Sequence, residues 1–407
     1  MDRDLDLDRL TGVDHASALG RRAGLAAAAL AAANRAAARA GKGDGHFARL
    51  EDYVADVARR TVCITLLAGS GSRWIKSLAA AAAMPADERP SCFDPSFDPA
   101  WPRGLYRVRD FLGVAPARAD GRMAIAAYSL AAVRGLGRHL LVVRGFEDEI
   151  DADVLRPLGI GPADRRFFTQ EAPFGKPLGH GDAAWQCRAL WKNADYVVTN
   201  FGGDANSRAT ALSSLLVLDA LSASPDGPLA DLLIPAARFP SPAYPIGLDE
   251  AGLPRTFGHA KLQGKAAGMA EDETERDAEG DAGGEAYTNV GVRVYRAPAL
   301  LAGVEYFRAR WWVDGTGYAI PGNDPEGHEF ALDNVDAELA SRGRARILAA
   351  CRPEELTPAK SLGDIPAFER AIAKVTAEDA GLLRFQKAGA VHKETAETQR
   401  RSMEAHG

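Results

Sequence analysis

Thr61-Val62-Cys63-Ile64-Thr65-Leu66-Leu67-Ala68-Gly69-Ser70-Gly71-Ser72-Arg73 is the stretch on which the reading of this chain turns. Its first seven residues are β-branched or apolar on both faces, the pattern of a strand inside a parallel sheet. The strand runs straight into a glycine turn, whose exposed amides can form an anion-binding nest at a helix start. Similar buried runs recur at Leu140-Leu141-Val142-Val143 and Tyr196-Val197-Val198-Thr199, with helical segments over Met123 to Val133 and Ala183 to Leu190 between them. This alternation predicts βαβ units and an α/β fold with a mostly parallel sheet.

Composition narrows the function classes. Of 407 residues 46% are apolar, so a sizeable core is available. Lys and Arg number 49 against 55 Asp and Glu, a net charge of 49 − 55 = −6, and no region concentrates cations without interleaved acids. That balance excludes a nucleic-acid binder acting by counterion release but leaves nucleotides open, since they need only a local cluster. Cys63, Cys92, Cys187 and Cys351 are widely spaced, with no C-x-x-C pair, and read as reduced thiols. The Ala-rich stretch Ala23 to Asn34 has 12 residues between charges, too short to span a bilayer. The opening Met1-Asp2-Arg3-Asp4 lacks the basic start of a secretory signal. The expectation is a cytoplasmic protein without membrane association.

Farther from the glycine turn, residues 46–60 have helical spacing, with Phe47, Leu50, Val54 and Val57 on one stripe. Residues 1–57 read as a helical extension, 58–376 as the main domain and 377–407 as a helical tail. Within the main domain, Glu271 to Glu285 reads EDETERDAEGDAGGE and is expected to be a solvated insertion. A strand is predicted at Gly291 to Tyr295 and a helix from Glu329 to Arg342.

Three phosphate-binding patterns compete for the glycine turn. A Walker A loop requires Gly before its Lys, but Ile75 precedes Lys76. A dinucleotide fingerprint requires a small third residue, where Trp74 stands. The form L-x-A-G-x-G-[ST]-R matches Leu66 to Arg73 without a gap, and from about residue 60 to 375 the chain resembles the sugar-1-phosphate nucleotidyltransferases.

Further blocks of that family recur in order. The resemblance implies that Leu67, Ala68, Gly69, Ser70, Gly71 and Ser72 bind the nucleotide, with Arg73 on its phosphates. The family's Pro-Lys dipeptide is represented by Pro102-Arg103, after an insertion from about Ser77 to Ala100; Lys76 is the rival for that role. Arg binds phosphate bidentately and can replace the Lys, though not conservatively. Gln170 and the segment Pro177-Leu178-Gly179-His180-Gly181-Asp182-Ala183 are similar to the elements that line the nucleobase, Gly179 among them. The family's Gly-Asp, at the end of a buried strand, falls on Gly203-Asp204 and implies that Asp204 binds Mg2+. Tyr244, at the start of Tyr244 to Gly252, and Asn289 of Thr288-Asn289-Val290-Gly291 correspond to sugar contacts.

What the resemblance implies is a Rossmann-like, three-layer α/β/α domain that joins a nucleoside triphosphate, UTP by family frequency, to a sugar 1-phosphate and releases pyrophosphate. Mg2+ would be the cofactor, and a homo-oligomer is compatible with the sequence. Two departures stand out. Asn334 ends the family's E-x-x-L-x-D pattern, and Lys360 stands where many relatives place a second metal-binding Asn or Asp. They support an alternative, a non-catalytic nucleotide-sugar-sensing or assembly subunit. A third reading, transfer to phosphocholine or another phosphorylated alcohol, would use the aromatic faces of Trp311-Trp312, which read as a strand pair on opposite faces.

Overall fold

The computed structural model describes residues 18–42, 45–68, 71–114, 121–224, 227–240, 242, 245–257, 285–321, 323, 328–349, 351–377 and 379. The acidic insertion, except for Glu285, and the tail beyond Asp379 lie outside them. The fold is α/β, built on a ten-stranded mixed sheet. Four strands form its parallel half in the order β5 (Arg165–Thr169), β4 (Arg138–Val143), β1 (Thr61–Leu66), β6 (Tyr196–Phe201). Side chains alternate between two cores: Val62 and Ile64 of β1 face one and Cys63 the other. The apolar-on-both-faces run is explained by this placement, with helical layers covering each face.

Beyond β6 the parallel pattern ends. Strand β11 (Val292–Arg296) pairs antiparallel with β6 and with β7 (Leu232–Pro240), and β10 (Glu285–Asn289) pairs antiparallel with β7 and β8 (Pro245–Leu248). Strand β9 (Pro254–Phe257) adds to β8, and β14 (Ala345–Leu348) lies parallel to β7. The expectation of a mixed, mostly parallel sheet holds as a mixed sheet: parallel from β5 to β6 and again where β14 meets β7, and antiparallel among the remaining strands. The connection from β8 to β9 is too short for a crossover and permits only an antiparallel partner. Strands β10 and β11 run in one direction along β7, interrupted at Val290-Gly291, where their outer neighbours part: β6 beside β11, β8 beside β10. The sheet forks at that point.

On one face lie α1 (Ala18–Arg39), α2 (Leu50–Arg59), α3 (Ser72–Ala83), α4 (Ile125–Val133), α6 (Arg208–Ser222) and a final helix α9 over 365–377. On the other are α5 (His180–Gln186), α7 (Ala297–Trp311) and α8 (Leu332–Ser341). Several boundaries differ from expectation. Met123 sits in β3 (Arg122–Ala124), paired with β2 (Arg107–Arg109), so the helix starts only at Ile125. The segment Ala183 to Leu190 breaks into α5 and a 3-10 turn at Arg188–Leu190. Helix α8 starts at Leu332 rather than Glu329, because the Phe330 backbone exchanges hydrogen bonds with Leu178 and Gly181 instead. Trp311 ends α7 and Trp312 opens the two-residue strand β12 (Trp312–Val313), which pairs with β13 (Gly317–Tyr318), so the two tryptophans are not a strand pair. Among the described residues no helix is long and apolar enough to cross a membrane.

Helices α1 and α2 share the core of the sheet rather than forming their own: Ala29, Ala32, Tyr53 and Val57 all pack into it. The stripe read in the sequence omitted Tyr53, which is fully buried and donates its hydroxyl to Asp219 Oδ2 at 2.6 Å. Asp219 also pairs with Arg60 at 3.0 Å. Tyr53→Phe leaves the buried carboxylate with one donor fewer and should cost about 1–3 kcal/mol in chemical denaturation; no measurable loss would show that Arg60 alone satisfies Asp219.

Candidate functional site

Two adjoining cavities open at the C-terminal ends of β1 and β6, one of about 420 Å³ and the other of about 480 Å³. This is where ligands collect in open α/β sheets. Arg103, His180, Phe201 and Lys360 line both. Leu67, Ala68, Gly71, Ser72 and Arg73 form one wall of the first cavity, and Gln170 and Gly179 stand in its lining too. Asp204 and Asn289 line the second. Residues expected at the site from six separate stretches thus converge on one cleft. Gly69, Ser70 and Tyr244 lie outside the described residues.

Each wall has a local cause. Gly71, at φ 60°, ends the turn and starts α3, which aims its first amides at the cavity. Trp74, the residue that disfavoured the dinucleotide reading, is buried against Tyr106 and, from the insertion, Phe97, with ring centroids at 4.7 and 6.4 Å. That aromatic cluster anchors the insertion and sets Pro102-Arg103 at the cavity wall. Lys76, the rival, is exposed on α3 and lines neither cavity.

The loop after β6 is held from below by polar groups that the sequence reading overlooked. Asn200, buried within β6, donates to Ser129 O at 2.7 Å and accepts from Asn206 at 2.9 Å, while Ser129 Oγ bonds both the amide and the carbonyl of Asp204. An Asn inside an otherwise apolar strand was the available signal. From the other side, Pro358 bridges Asp204 and the Ala359 amide donates to Gly203 O at 3.0 Å. This strap brings Lys360 alongside. Asp364 accepts from the amides of Lys360 and Ser361 and is occupied as a cap.

Two glycines make room for the charged groups. A Cβ at Gly203 would lie 2.1 Å from Arg103 Nη2, and one at Gly291, where φ is 78°, would lie 2.2 Å from Asp204 Oδ2. The Asn-x-Gly turn is therefore the fork of the sheet, and Asp204 fills it. The glycines of the Leu178 to Gly181 segment serve a different purpose from the one expected. A Cβ at Gly179 would meet Phe330 O at 2.5 Å and one at Gly181 the Phe330 ring at 2.8 Å. They let the segment pack on a buried Phe rather than on a flat ligand. His180 accepts from the Leu332 amide at 2.8 Å through Nδ1, which ties the same segment to α8.

The electrostatics favour a polyanion. With described partners, neither the Arg73 nor the Arg103 side chain makes a hydrogen bond or an ion pair. Burial lowers the Arg103 and Lys360 pKa values, against the pull of Asp204. Burial raises the Asp204 carboxyl, opposed by Arg103, Lys360 and Arg293. His180 is pushed down to about 4 by burial, against Asp333, and is neutral near pH 7. Asn334 binds the Ala331 amide and Asn323, a capping role. Trp311 and Trp312 line neither cavity.

One carboxylate beside two cations does not make a resident metal centre, and among the described residues there is no cluster of three His, Cys, Asp or Glu suited to a metal. Asp204 fits a Mg2+ that arrives on nucleotide phosphates, because that ion needs only one or two carboxylates and takes its other oxygens from phosphate and water. No protein-family model matches the chain, and no curated protein matches it.

Two outcomes are expected. Gly252 has a similar φ of 75° with open space around it, so Gly252→Ala measures backbone strain alone, about 1 kcal/mol. Gly291→Ala should cost more, and Asp204→Ala in the same chain should restore the excess; denaturation midpoints of the single and double variants test the contact. Second, the folded His180 value of about 4 lies below the free value of 6.5, so its contribution is complete above pH 6.5 and lost as pH falls toward 4. His139 adds the same sign, also at about 4. His180→Asn, which keeps an acceptor for the Leu332 amide, should flatten part of that slope in denaturation curves across pH 4.5 to 7.

Proposed function

We propose that the protein is a nucleotidyltransferase with a Rossmann-like core that joins a nucleoside triphosphate to a sugar 1-phosphate and releases pyrophosphate. The observation that carries this reading is the pair of unspent guanidinium groups, Arg73 and Arg103. They converge with the start of α3 on a cavity that leads past Asp204 into a second chamber. A triphosphate suits the first space: amides at a helix start and fixed cations neutralise it without rearrangement. Gln170 and Gly179, in the lining of the first cavity, would meet the base, and Asn289, in the lining of the second, would offer donor and acceptor to sugar hydroxyls.

The junction between the chambers is where transfer would occur. An oxygen of the sugar phosphate attacks the α-phosphorus, the bond to the bridging oxygen breaks, and pyrophosphate departs with that electron pair. Arg103 and Lys360, which border both chambers, would stabilise the charge on the equatorial oxygens and on the leaving group. Lys360, read in the sequence as an obstacle to metal binding, then becomes a fixed cation at the reacting centre. Mg2+, when carried in on the nucleotide, supplies further charge neutralisation, with Asp204 as its protein ligand. His180, neutral and bonded to α8, would leave the charge balance of the junction unchanged.

The test is pyrophosphate release from the common nucleoside triphosphates with Mg2+ and a panel of sugar 1-phosphates, phosphocholine included. Release should require one nucleotide and one acceptor. Arg103→Ala and Asp204→Ala should each lower kcat/KM by about 100-fold or more with the melting temperature little changed. Nucleotide-sugar binding without turnover would favour the sensing alternative. Turnover unaffected by both substitutions would remove this cleft from the chemistry.

A further inference from the structure

Between α4, the start of α6 and α9 lies a further cavity of about 590 Å³, larger than either chamber of the cleft. None of its lining residues lines those chambers. Phe111, Leu112, Leu158, Ala205, Ile372 and Val375 make most of its wall apolar. Size and lining are those of a small-molecule site, in which a few polar groups fix the ligand's orientation.

The polar side chains of this wall are nearly all spent inside the protein. Tyr128 Oη donates to Arg109 O and accepts from the Phe111 amide at 3.1 Å, and Thr376 Oγ1 donates to Ile372 O at 2.7 Å. The Asp379 carboxylate accepts from Ser207 Oγ and from the amides of Arg208 and Ala209, at 2.7, 2.7 and 3.2 Å, and so caps α6. Two features are left over. Asn206 is 5% exposed; its Nδ2 is spent on Asn200, but its Oδ1 has no hydrogen-bond partner among the described residues. A buried acceptor without a donor is costly unless an occupant supplies one.

The second feature is a pair of like charges. Arg208 donates through Nη1 to Arg134 O, and with described partners neither guanidinium makes an ion pair. A Cβ at Gly159, beside Leu158, would lie 3.2 Å from Arg134 Nη2, and one at Gly135 would lie 3.8 Å from Arg208 Nη2. Burial lowers the Arg208 pKa, against Asp379 and together with Arg134. Arg134 is exposed and Arg208 half-buried, so the charges mark the mouth of the cavity. Two cations there face one carboxylate already engaged by three donors, and an anion would offset the excess.

We propose that this cavity binds an amphipathic anion: an apolar chain along its wall, a carboxylate or phosphate on Arg134 and Arg208, and a hydroxyl or N–H of the ligand on Asn206 Oδ1. The site stands apart from the nucleotidyltransferase cleft, so neither reading falls with the other.

The experiment is calorimetric titration of the full chain with octanoate, decanoate, decyl phosphate, decyltrimethylammonium, and decanoate hydroxylated at carbon 2, 3 or 10. Decanoate should bind one to one and about tenfold more tightly than octanoate, the effect of two buried methylenes. Decyl phosphate binding more tightly than decanoate would assign the head group as phosphate, and the reverse as carboxylate. At least one hydroxydecanoate should exceed decanoate by about threefold or more. Arg134→Gln, at an exposed position, should weaken both anions about fivefold with the melting temperature little changed. Ala131→Trp, which fills the cavity, should abolish binding. Past Asp379 the chain continues Ala380-Gly381-Leu382-Leu383. Binding that appears only after Leu382→Ser and Leu383→Ser together would assign the cavity to the chain's own tail and overturn the proposal. So would decyltrimethylammonium binding as well as decanoate, no gain from a hydroxyl at any position, affinity unchanged in the two cavity variants, or no binding of any anion.

Discussion

The cleft depends on Asp204 lying closer to neighbouring backbone than any side chain on that backbone would allow. Gly291 and Gly203 are the two absences that permit it, one against the carboxylate and the other against Arg103. Because Gly291 is also the interruption between β10 and β11, the forking of the sheet and the seating of the carboxylate are one event. Antiparallel pairing of β11 with β6 brings the turn to the end of β6, and the strap at Pro358 closes on the same loop from the far side. Where those three segments meet, the strap brings Lys360 into the lining of the cavity beside Asp204, while the Asp333 carboxylate in the same lining is paired with Arg293.

The charges follow from this crowding. Arg103 and Lys360 are both partly removed from water beside a carboxylate that is itself disfavoured by burial. Cations in this position lose hydration that one carboxylate only partly replaces, and on the proposed reading an incoming polyanion would supply the remainder. Arg73, more exposed at the head of α3, extends the same field toward solvent, where it can meet a charged ligand early. His180, neutral near pH 7 and lining both cavities, adds no like charge to them.

Legibility in the sequence followed the physics of each element. The buried strands β1, β4 and β6 were readable because burial on both faces leaves continuous apolar runs, and the glycine turn because its composition is so restricted. The antiparallel half was legible in part: the strand predicted at Gly291 to Tyr295 is β11, but its direction was not legible, because its partners β6 and β7 are distant in sequence. Residues of the cleft were found where a motif carried them, as at Arg73, Arg103, Gln170 and Asp204. Residues that act through others were missed: Ser129 and Asn200 stand in segments that look like ordinary helix or strand, and their hydrogen bonds cross long sequence separations. The glycines at 179 and 181 were seen, but their reason lies at Phe330, about 150 positions away, which no local pattern reports.

Lys360 shows how a departure from a pattern changes meaning once its surroundings are known. Read alone, a cation in place of a metal-binding acid suggests a lost function. In the fold it shares both chambers with Arg103 beside Asp204, where a phosphoryl group in transit would carry its greatest charge. A fixed ammonium and a metal ion do comparable electrostatic work there, but the ammonium needs no second carboxylate to hold it. The missing acid and the added cation are then one substitution with one consequence. On the proposed reading, part of the neutralisation would come from the chain itself, and Asp204 would remain as a carboxylate for an ion that the nucleotide brings.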